Sequence, residues 1–203
     1  MVRIHATRFF RWLYPETIWK IKNDDAVYIT FDDGPHPETT PFLLALAKEK
    51  DVKLSFFWLG ENIRRHPQFL ALAAQQGHLV GNHGMHHLNG WKVSKEAFLD
   101  NVTAFEKEFG VRPFRPPYGK IKPAAYKTLS QGRKIVLWSW ISYDWEKDVS
   151  DEAILKSLEN SLQPGDILVF HENQKTVDRA KNLYPKVFDL IQAKGYTAKA
   201  LPL

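Results

Sequence analysis

Two adjacent aspartates, Asp32 and Asp33, end the apolar run of the stretch AVYITFDDGPHPETTPF. Two like charges at the end of a buried strand need a compensating cation, and no basic residue stands beside them. His83 and His87 lie four residues apart, so on a helical turn both imidazoles share one face and can share one ion. Carboxylate and imidazole groups are zinc ligands, and one carboxylate with two histidines leaves positions for water and substrate. The sequence therefore predicts a metal site.

Further titratable residues extend this prediction to acid–base chemistry. His86, three residues after His83, is a competing metal ligand, with a place outside the ligand set or on the surface as its alternative. One aspartate can bind the metal while the other acts as a general base, if a nearby cation keeps it deprotonated. Arg115, held among prolines in FRPPYG, is the candidate cation, and a surface salt bridge is its alternative role. His171, at the end of ILVFH, is a candidate general acid or a histidine at the edge of the core.

Apolar strands and helices alternate along the chain, which predicts a parallel α/β sheet covered on both faces. Strands or extended segments are predicted at 26–31, 53–59, 78–82, 112–119, 134–140, 166–170 and 196–201. Helices are predicted at 38–50, 62–77, 94–110, 122–132, 150–162 and 181–195. About seven parallel strands favour a barrel over a small open sheet. The polar residues that follow the strands would then converge on one face, where such folds carry their chemistry.

Composition sets wider limits. The 203 residues fit one domain, the net charge is +5, and the chain has no dense Lys/Arg run of the kind that binds nucleic acid. There is no cysteine, which excludes disulfides and thiolate metal sites. The basic, aromatic segment 1–25 is expected to be an extension packed on the domain, with weak membrane-surface association as the alternative. We predict no transmembrane span, a monomer by default and, without a clear signal peptide, a cytoplasmic location by default.

Five segments in order, TFDDG, the histidine pair, RPPYG, a segment ending in DW, and LVFH, resemble the polysaccharide deacetylases of the NodB-homology type, carbohydrate esterase family 4. The resemblance covers the domain predicted at 26–203. It implies a distorted (β/α) barrel with an open groove. It also implies removal of acetyl groups from N-acetylated sugar polymers with a divalent metal, usually Zn²⁺, with Co²⁺, Ni²⁺ or Mn²⁺ as alternatives.

The resemblance also implies roles for individual residues. By position, Asp32 matches the general base, and Asp33, His83 and His87 match the metal ligands. Arg115 matches the arginine that holds the base, and Tyr118 matches the residue whose backbone N–H binds the oxyanion. Trp145 and Leu168 match the residues that line the acetyl-methyl pocket, and His171 matches the general acid. Two further residues, His36 and Trp91, are candidate substrate contacts because of their places in loops near the motifs.

Two positions depart from the family pattern. Gly84 stands where a Ser or Thr hydroxyl usually supports the metal loop, so we expect weaker support of the ligands. Ile141 stands where an aspartate usually pairs with the acid histidine, so we expect a lower pKa for His171, unless a different loop lets Asp144 take that place. Two other functions stay open: an amidohydrolase of the same fold that acts on a small cyclic amide or imide, and a non-catalytic carbohydrate-binding protein.

Overall fold

The computed structural model describes residues 12–22 and 24–203. Within them, the chain forms one sheet of five strands, all parallel, in the order β3-β2-β1-β5-β4. The strands are β1 Tyr28–Asp32, β2 Ser55–Trp58, β3 Leu79–Asn82, β4 Trp140–Ile141 and β5 Ile167–His171. Strand β1 is central, and its last residue, Asp32, lies opposite Phe57 of β2 and His171 of β5. The carboxyl ends of the central strands therefore place titratable groups side by side.

Helices connect the strands. They are α1 Thr39–Glu49, α2 Gly60–Arg65, α3 Gln68–Gln75, α4 Lys95–Phe109, α5 Pro123–Leu129, α6 Asp151–Ser161 and α7 Val177–Ala193, with a 3₁₀ turn at Pro117–Gly119. Ser94 caps α4 by accepting a hydrogen bond from Ala97 N, and Gly110 ends this helix in the left-handed conformation. The single helix predicted at 62–77 is two helices, because Pro67 cannot donate a backbone hydrogen bond.

The parallel α/β prediction is confirmed, but the described residues hold five strands instead of about seven. In the segment 112–119, prolines flank Phe114 and leave it only single bridges, to Asn82 and Ile135. The segment 196–201 is reduced to one bridge between Ala198 and Val27. The bridges of Phe114 nevertheless link edge strand β3 to the segment that leads into β4, so backbone contacts connect the two edges of the sheet.

Side chains of β5 alternate between two environments, as the pleat of a strand requires. Leu168 and Phe170 belong to the large cluster between the sheet and its helices, whereas Ile167 packs in a separate cluster with Tyr28 and Phe57. Val169 and His171 line the pocket at the end of the sheet. This alternation decides which residues of LVFH can touch a ligand.

Part of the predicted extension at 1–25 contacts the domain. Tyr14 is buried with Phe98 and Phe114, and its hydroxyl donates to Ile121 O at 2.8 Å. Residues 1–11 and 23 lie outside the described residues. None of the helices described is both long and apolar enough to cross a membrane.

Candidate active site

Three potential metal ligands converge beyond the carboxyl end of β1. Asp33 follows this strand directly, and its Oδ1 lies 3.6 Å from His83 Nε2 and 3.3 Å from His87 Nε2. One ligand atom from each of the three residues lies within 4.8 Å of the others. Asp33 Oδ1 is buried and has no hydrogen-bond partner among the described residues. A buried carboxylate oxygen that faces two imidazole nitrogens and nothing else fits a divalent cation.

The surrounding contacts orient these ligands. His83 Nδ1 lies 2.8 Å from Arg115 O, so this nitrogen carries the proton and donates it, which leaves the Nε2 lone pair free. Burial, with the neighbouring His87, lowers the pKa of His83 to about 3, so the ring is neutral. The other oxygen of Asp33 accepts a hydrogen bond of 2.7 Å from Asn173 Nδ2. Burial also lowers the pKa of His87, so both rings are neutral, as metal binding requires.

The competing ligand, His86, does not join this cluster. Its ring is largely exposed, and its Nδ1 lies 3.3 Å from Glu61 Oε2.

Asp32 and Arg115 form a buried ion pair beside the cluster. Arg115 is fully buried, and its Nη1 donates to Asp32 Oδ1 at 2.6 Å and to Thr30 Oγ1 at 2.7 Å. The guanidinium lies 4.0 Å from the centre of the Phe57 ring and also donates to Leu137 O. Such a pair is stable in the interior because each charge neutralises the other and further hydrogen bonds hold the geometry.

The predicted loss of a carboxylate partner for His171 is wrong. Its Nδ1 lies 2.9 Å from Oδ1 of the buried Asp144, and its backbone N donates to Oδ2 of the same residue. Burial lowers the pKa of His171, but the charge and hydrogen bond of Asp144, with Asp33 and Asp32, outweigh this effect and raise it to about 9. Ile141 is instead a buried residue of β4 that pairs with Val169.

The residues around Asp144 explain why it takes this position. The Tyr184 hydroxyl donates to His171 O at 2.7 Å and lies 3.1 Å from Asp144 Oδ2, and Arg179 Nη1 donates to Asp144 O at 2.8 Å. Tyr143, just before it, has a positive φ of 57°, which turns the chain after β4 back beneath His171. The single DW aspartate therefore partners the histidine.

A pocket of about 670 Å³ opens over these groups. It is lined by Asp32, Asp33, His83, His87, Tyr118, Lys120, Trp138, Ile141, Tyr143, Trp145, Val169, His171, Asn173 and Lys175. Its volume is in the range of ligand sites, and the aromatic rings give it apolar walls.

Of the four predicted substrate contacts, Trp145 lines this pocket and three do not, and Tyr118, the predicted oxyanion donor, lines it too. Tyr118, with φ 60°, lies with its ring centre 4.4 Å from that of His87. Trp145 packs edge-on against His171, with the ring centres 4.3 Å apart.

The prediction for Leu168 is wrong, because it points to the core and the neighbouring Val169 lines the pocket. His36 and Trp91 do not line it either. The backbone N of His36 donates to Thr40 Oγ1, and Trp91 lies beyond Lys120, whose ammonium is 5.2 Å from the centre of its ring.

Gly84, where we expect weaker support of the ligands, lies in a loop that side-chain amides bond. This residue has φ 90°, and a Cβ there would meet Asn101 Nδ2 at 2.4 Å. The amide of Asn101 accepts from His86 N and donates to His86 O, and Asn82 Oδ1 accepts from Gly84 N at 2.6 Å. Side-chain amides therefore hold the loop that carries His83 and His87.

Sequence reasoning missed two residues that directly follow His171. Asn173 contacts Asp33, as described above. Glu172 is fully buried and accepts hydrogen bonds from Thr40 Oγ1 and Trp58 Nε1. Burial raises the pKa of Glu172 to about 8. A Cβ at Gly34 would collide with the Glu172 carboxyl, so this acid packs directly against the turn after the two aspartates. The polar triplet HEN at a strand end was the available signal.

Residues 20–133, more than half of the chain, match the family described as polysaccharide deacetylase. The chain belongs to the polysaccharide deacetylase family. It is 32% identical over 188 residues to the peptidoglycan-N-acetylglucosamine deacetylase of Bacillus cereus. The alignment covers 88% of this chain and 87% of that relative. It is 28% identical over 200 residues to the chitooligosaccharide deacetylase of Azorhizobium caulinodans, over 89% of this chain and 95% of that relative.

A solved structure supports the same assignment. The Bc1960 peptidoglycan N-acetylglucosamine deacetylase, in complex with 4-naphthalen-1-yl-N-oxidanyl-benzamide, has a TM-score of 0.83 and 31% identity, over 95% of this chain and 94% of that chain. The resemblance to the polysaccharide deacetylase family is confirmed.

Proposed function

We propose that this chain is a metal-dependent hydrolase that removes N-acetyl groups from an amino-sugar polymer or oligomer of the peptidoglycan or chitin kind and releases acetate. The observation that carries the proposal is Asp33 Oδ1, a buried oxygen that accepts no hydrogen bond from the described residues and faces the Nε2 atoms of His83 and His87. The two named relatives act on glycans of these kinds by name, and this chain aligns with nearly their whole length.

Asp33, His83 and His87 would hold the metal. The donor set of one carboxylate and two imidazoles suits Zn²⁺, with Co²⁺, Ni²⁺ and Mn²⁺ as alternatives. When bound, such an ion polarises an amide carbonyl and lowers the pKa of water.

Asp32 is proposed as the general base. Arg115 donates to its Oδ1 and fixes the carboxylate in orientation, while Asp32 remains on the wall of the pocket. The carboxylate takes a proton from the attacking water as the oxygen bonds to the acetyl carbon. The backbone N–H of Tyr118 is proposed to stabilise the negative charge that develops on the carbonyl oxygen.

His171 is proposed as the general acid. The protonated ring, stabilised by Asp144, donates a proton to the sugar nitrogen as the C–N bond breaks, so acetate and a free amine leave. Trp145 and Val169, on the same side of the pocket, are placed to contact the acetyl methyl group.

The proposal is tested by acetate release from N-acetylglucosamine oligomers of several lengths and from peptidoglycan fragments. Zinc-reconstituted protein is compared with chelated protein, and bound zinc is quantified in both samples. We expect release that depends on zinc and rises with oligomer length. Bound zinc without release from any glycan would contradict the deacetylase function, and release that survives chelation would contradict metal dependence.

A further inference from the structure

Two lysines, Lys120 and Lys175, line the pocket without an acidic partner. Neither forms an ion pair with any residue that the structure describes. The acidic side chains that line the pocket are Asp32 and Asp33, and neither is paired with a lysine of the pocket. Asp32 is neutralised by Arg115, and Asp33 belongs to the metal cluster. The positive charge of the two lysines is therefore not compensated within the pocket.

Lys120 is held on the side of the pocket that contains His87. Its backbone N donates to Pro117 O at 3.1 Å, which fixes it at the end of the 3₁₀ turn. Its ammonium lies 5.2 Å from the ring centre of Trp91 and 6.0 Å from that of Tyr118. Contact with two ring faces restricts this cation without neutralising its charge.

Lys175 is connected to the cluster through Asn173. Its backbone N donates to Asn173 Oδ1 at 2.9 Å, and the amide nitrogen of Asn173 donates to Asp33 Oδ2. The next residue, Thr176, is fully buried and donates to His171 O, so the turn is anchored in the core. The two lysines are therefore connected to different members of the cluster. Lys120 contacts Tyr118, which packs on His87, and Lys175 is bonded to Asn173, which donates to Asp33.

Resting on the deacetylase function proposed above, we propose that Lys120 and Lys175 select glycans with a carboxylate close to the sugar that bears the acetamide. An ammonium on a long flexible stem binds a carboxylate as a point charge and tolerates different linkages. The carboxylate can belong to an ether substituent on a neighbouring sugar or to an attached peptide. A neutral N-acetylglucosamine polymer offers neither, so the lysines distinguish acidic from neutral substrates.

The test compares substrates that differ only in charge. An alternating oligomer of N-acetylglucosamine and N-acetylmuramic acid, without peptides, is used with its lactyl carboxylates free or converted to amides. A third sample carries the peptide stems, so that a preference restricted to this sample assigns the recognised carboxylate to the peptide. For each, kcat/KM is measured by acetate release, and the dissociation constant is measured by calorimetry on full-length, zinc-loaded protein.

The variants are Lys120→Gln, Lys175→Gln and both together, with Lys120→Arg as the variant that keeps the charge. Lys156→Gln is the matched control, since Lys156 is an exposed residue of α6 outside the pocket lining. We expect wild-type protein to favour the free carboxylates. The ratio of kcat/KM between acidic and amidated substrates should fall about threefold for each lysine and about tenfold for the pair, as expected for solvent-accessible ion pairs.

The control and Lys120→Arg should keep the wild-type ratio, and 0.5 M salt should reduce that ratio. Equal values for all three substrates, or a preference for carboxylate-bearing substrates that is unchanged in the double variant, would overturn the inference. If no substrate releases acetate, the deacetylase proposal fails, and the dissociation constants still decide the charge preference. Tighter binding of the acidic oligomer that the double variant loses would support it, and equal binding would overturn it.

Discussion

Acidic side chains occupy both ends of the parallel sheet, but their surroundings differ. At the amino end, Asp166 precedes β5 and both its oxygens are used. Its Oδ1 accepts from Ser139 Oγ at 2.9 Å and lies 3.3 Å from Lys20 Nζ, while Oδ2 accepts from Gln163 N at 2.8 Å. At the carboxyl end, one oxygen of Asp33 accepts a hydrogen bond from an amide, and the other has no hydrogen-bond partner in the described part of the chain.

Cavity size does not distinguish these two ends. The amino end carries a cavity of about 550 Å³, and the pocket at the carboxyl end has about 670 Å³. What differs is whether both oxygens of the carboxylate accept hydrogen bonds. A buried carboxylate that only supports a fold usually has partners for both oxygens, so Asp33 Oδ1, which faces two imidazole nitrogens and accepts no hydrogen bond among the described residues, fits a place for a ligand.

The largest contrast is expected from matched substitutions of Asp33 and Asp166. Asp33→Asn should lose zinc and reduce acetate release to that of chelated wild-type protein, because the charged ligand is removed. Asn tolerates the positive φ of 77° at this position, so the fold should be retained.

Asp166→Asn should leave zinc binding unchanged. It should lower the free energy of unfolding by about 1–3 kcal/mol, because a buried donor loses its acceptor. Zinc titration and urea unfolding of both chelated variants make the comparison. If Asp33→Asn destabilised the chelated protein as much as Asp166→Asn, the distinction between the two ends would not hold.

The next effect concerns Asp144 and pH. Since the pKa of His171 is raised from 6.5 to about 9, its protonated form stabilises the fold fully below pH 6.5, and this contribution disappears as the pH rises through 9. Asp144→Asn should remove most of this pH dependence and move the basic limb of the kcat profile down by about one to three pH units.

Unfolding curves of metal-free protein between pH 6 and 10, together with the kcat profile, test this expectation. Ile141→Asp is the companion variant, and it should leave the basic limb in place because Asp144 already partners the histidine. A basic limb unchanged by Asp144→Asn would contradict the assignment.

A smaller effect is expected at Glu172, a buried acid of the carboxyl end that has partners for both oxygens. Glu172→Ala should lower the free energy of unfolding by about 2–4 kcal/mol, because Trp58 Nε1 loses its acceptor and a cavity remains. Glu172→Gln should be much milder, since its amide can accept from Trp58 and donate to Thr40.

The pKa of Glu172 is raised from 4.5 to about 8, so the unfolded chain ionises first and wild-type stability falls as the pH rises between these values. Glu172→Gln should flatten this slope in urea unfolding between pH 5 and 8. An equally steep slope in the variant would show that Glu172 is not its source.

The smallest effect is expected at the amino end from Tyr28→Phe. The Tyr28 hydroxyl donates to Asp24 Oδ2 at 2.5 Å, and Asp24 also accepts from Ala26 N. Loss of one hydrogen bond to a partly exposed carboxylate should lower the free energy of unfolding by about 0.5–1.5 kcal/mol. Zinc affinity should be unchanged, and a measurable loss of zinc would mean that the two ends are coupled.

Much of the candidate site could be predicted from the sequence because its residues follow strands directly. Asp33, His83 and His87 were singled out by residue type and spacing, and the structure brings them together. Their roles remain predictions. The parallel α/β class followed from apolar runs that alternate with helices, but strand number did not, since prolines around Phe114 reduce that segment to isolated bridges.

Other features depend on tertiary contacts that no short pattern contains. Asp144 partners His171 because the backbone turns at Tyr143, and a motif comparison by position had pointed to Ile141 instead. Leu168 was misassigned by one residue, which in a strand reverses the direction of the side chain. Asn173 was overlooked because an amide after a strand has no distinctive spacing.

Arg115 supports two proposed roles, metal binding by His83 and proton transfer by Asp32, the first with its backbone and the second with its side chain. Its carbonyl oxygen orients His83, and its guanidinium orients Asp32. Every amino acid at this position would supply the carbonyl, so mutagenesis of Arg115 reports only on the side-chain half of the connection. A substitution of Arg115 would therefore remove the group that orients Asp32 and keep the carbonyl that orients His83. At this one position, turnover can change while metal affinity does not.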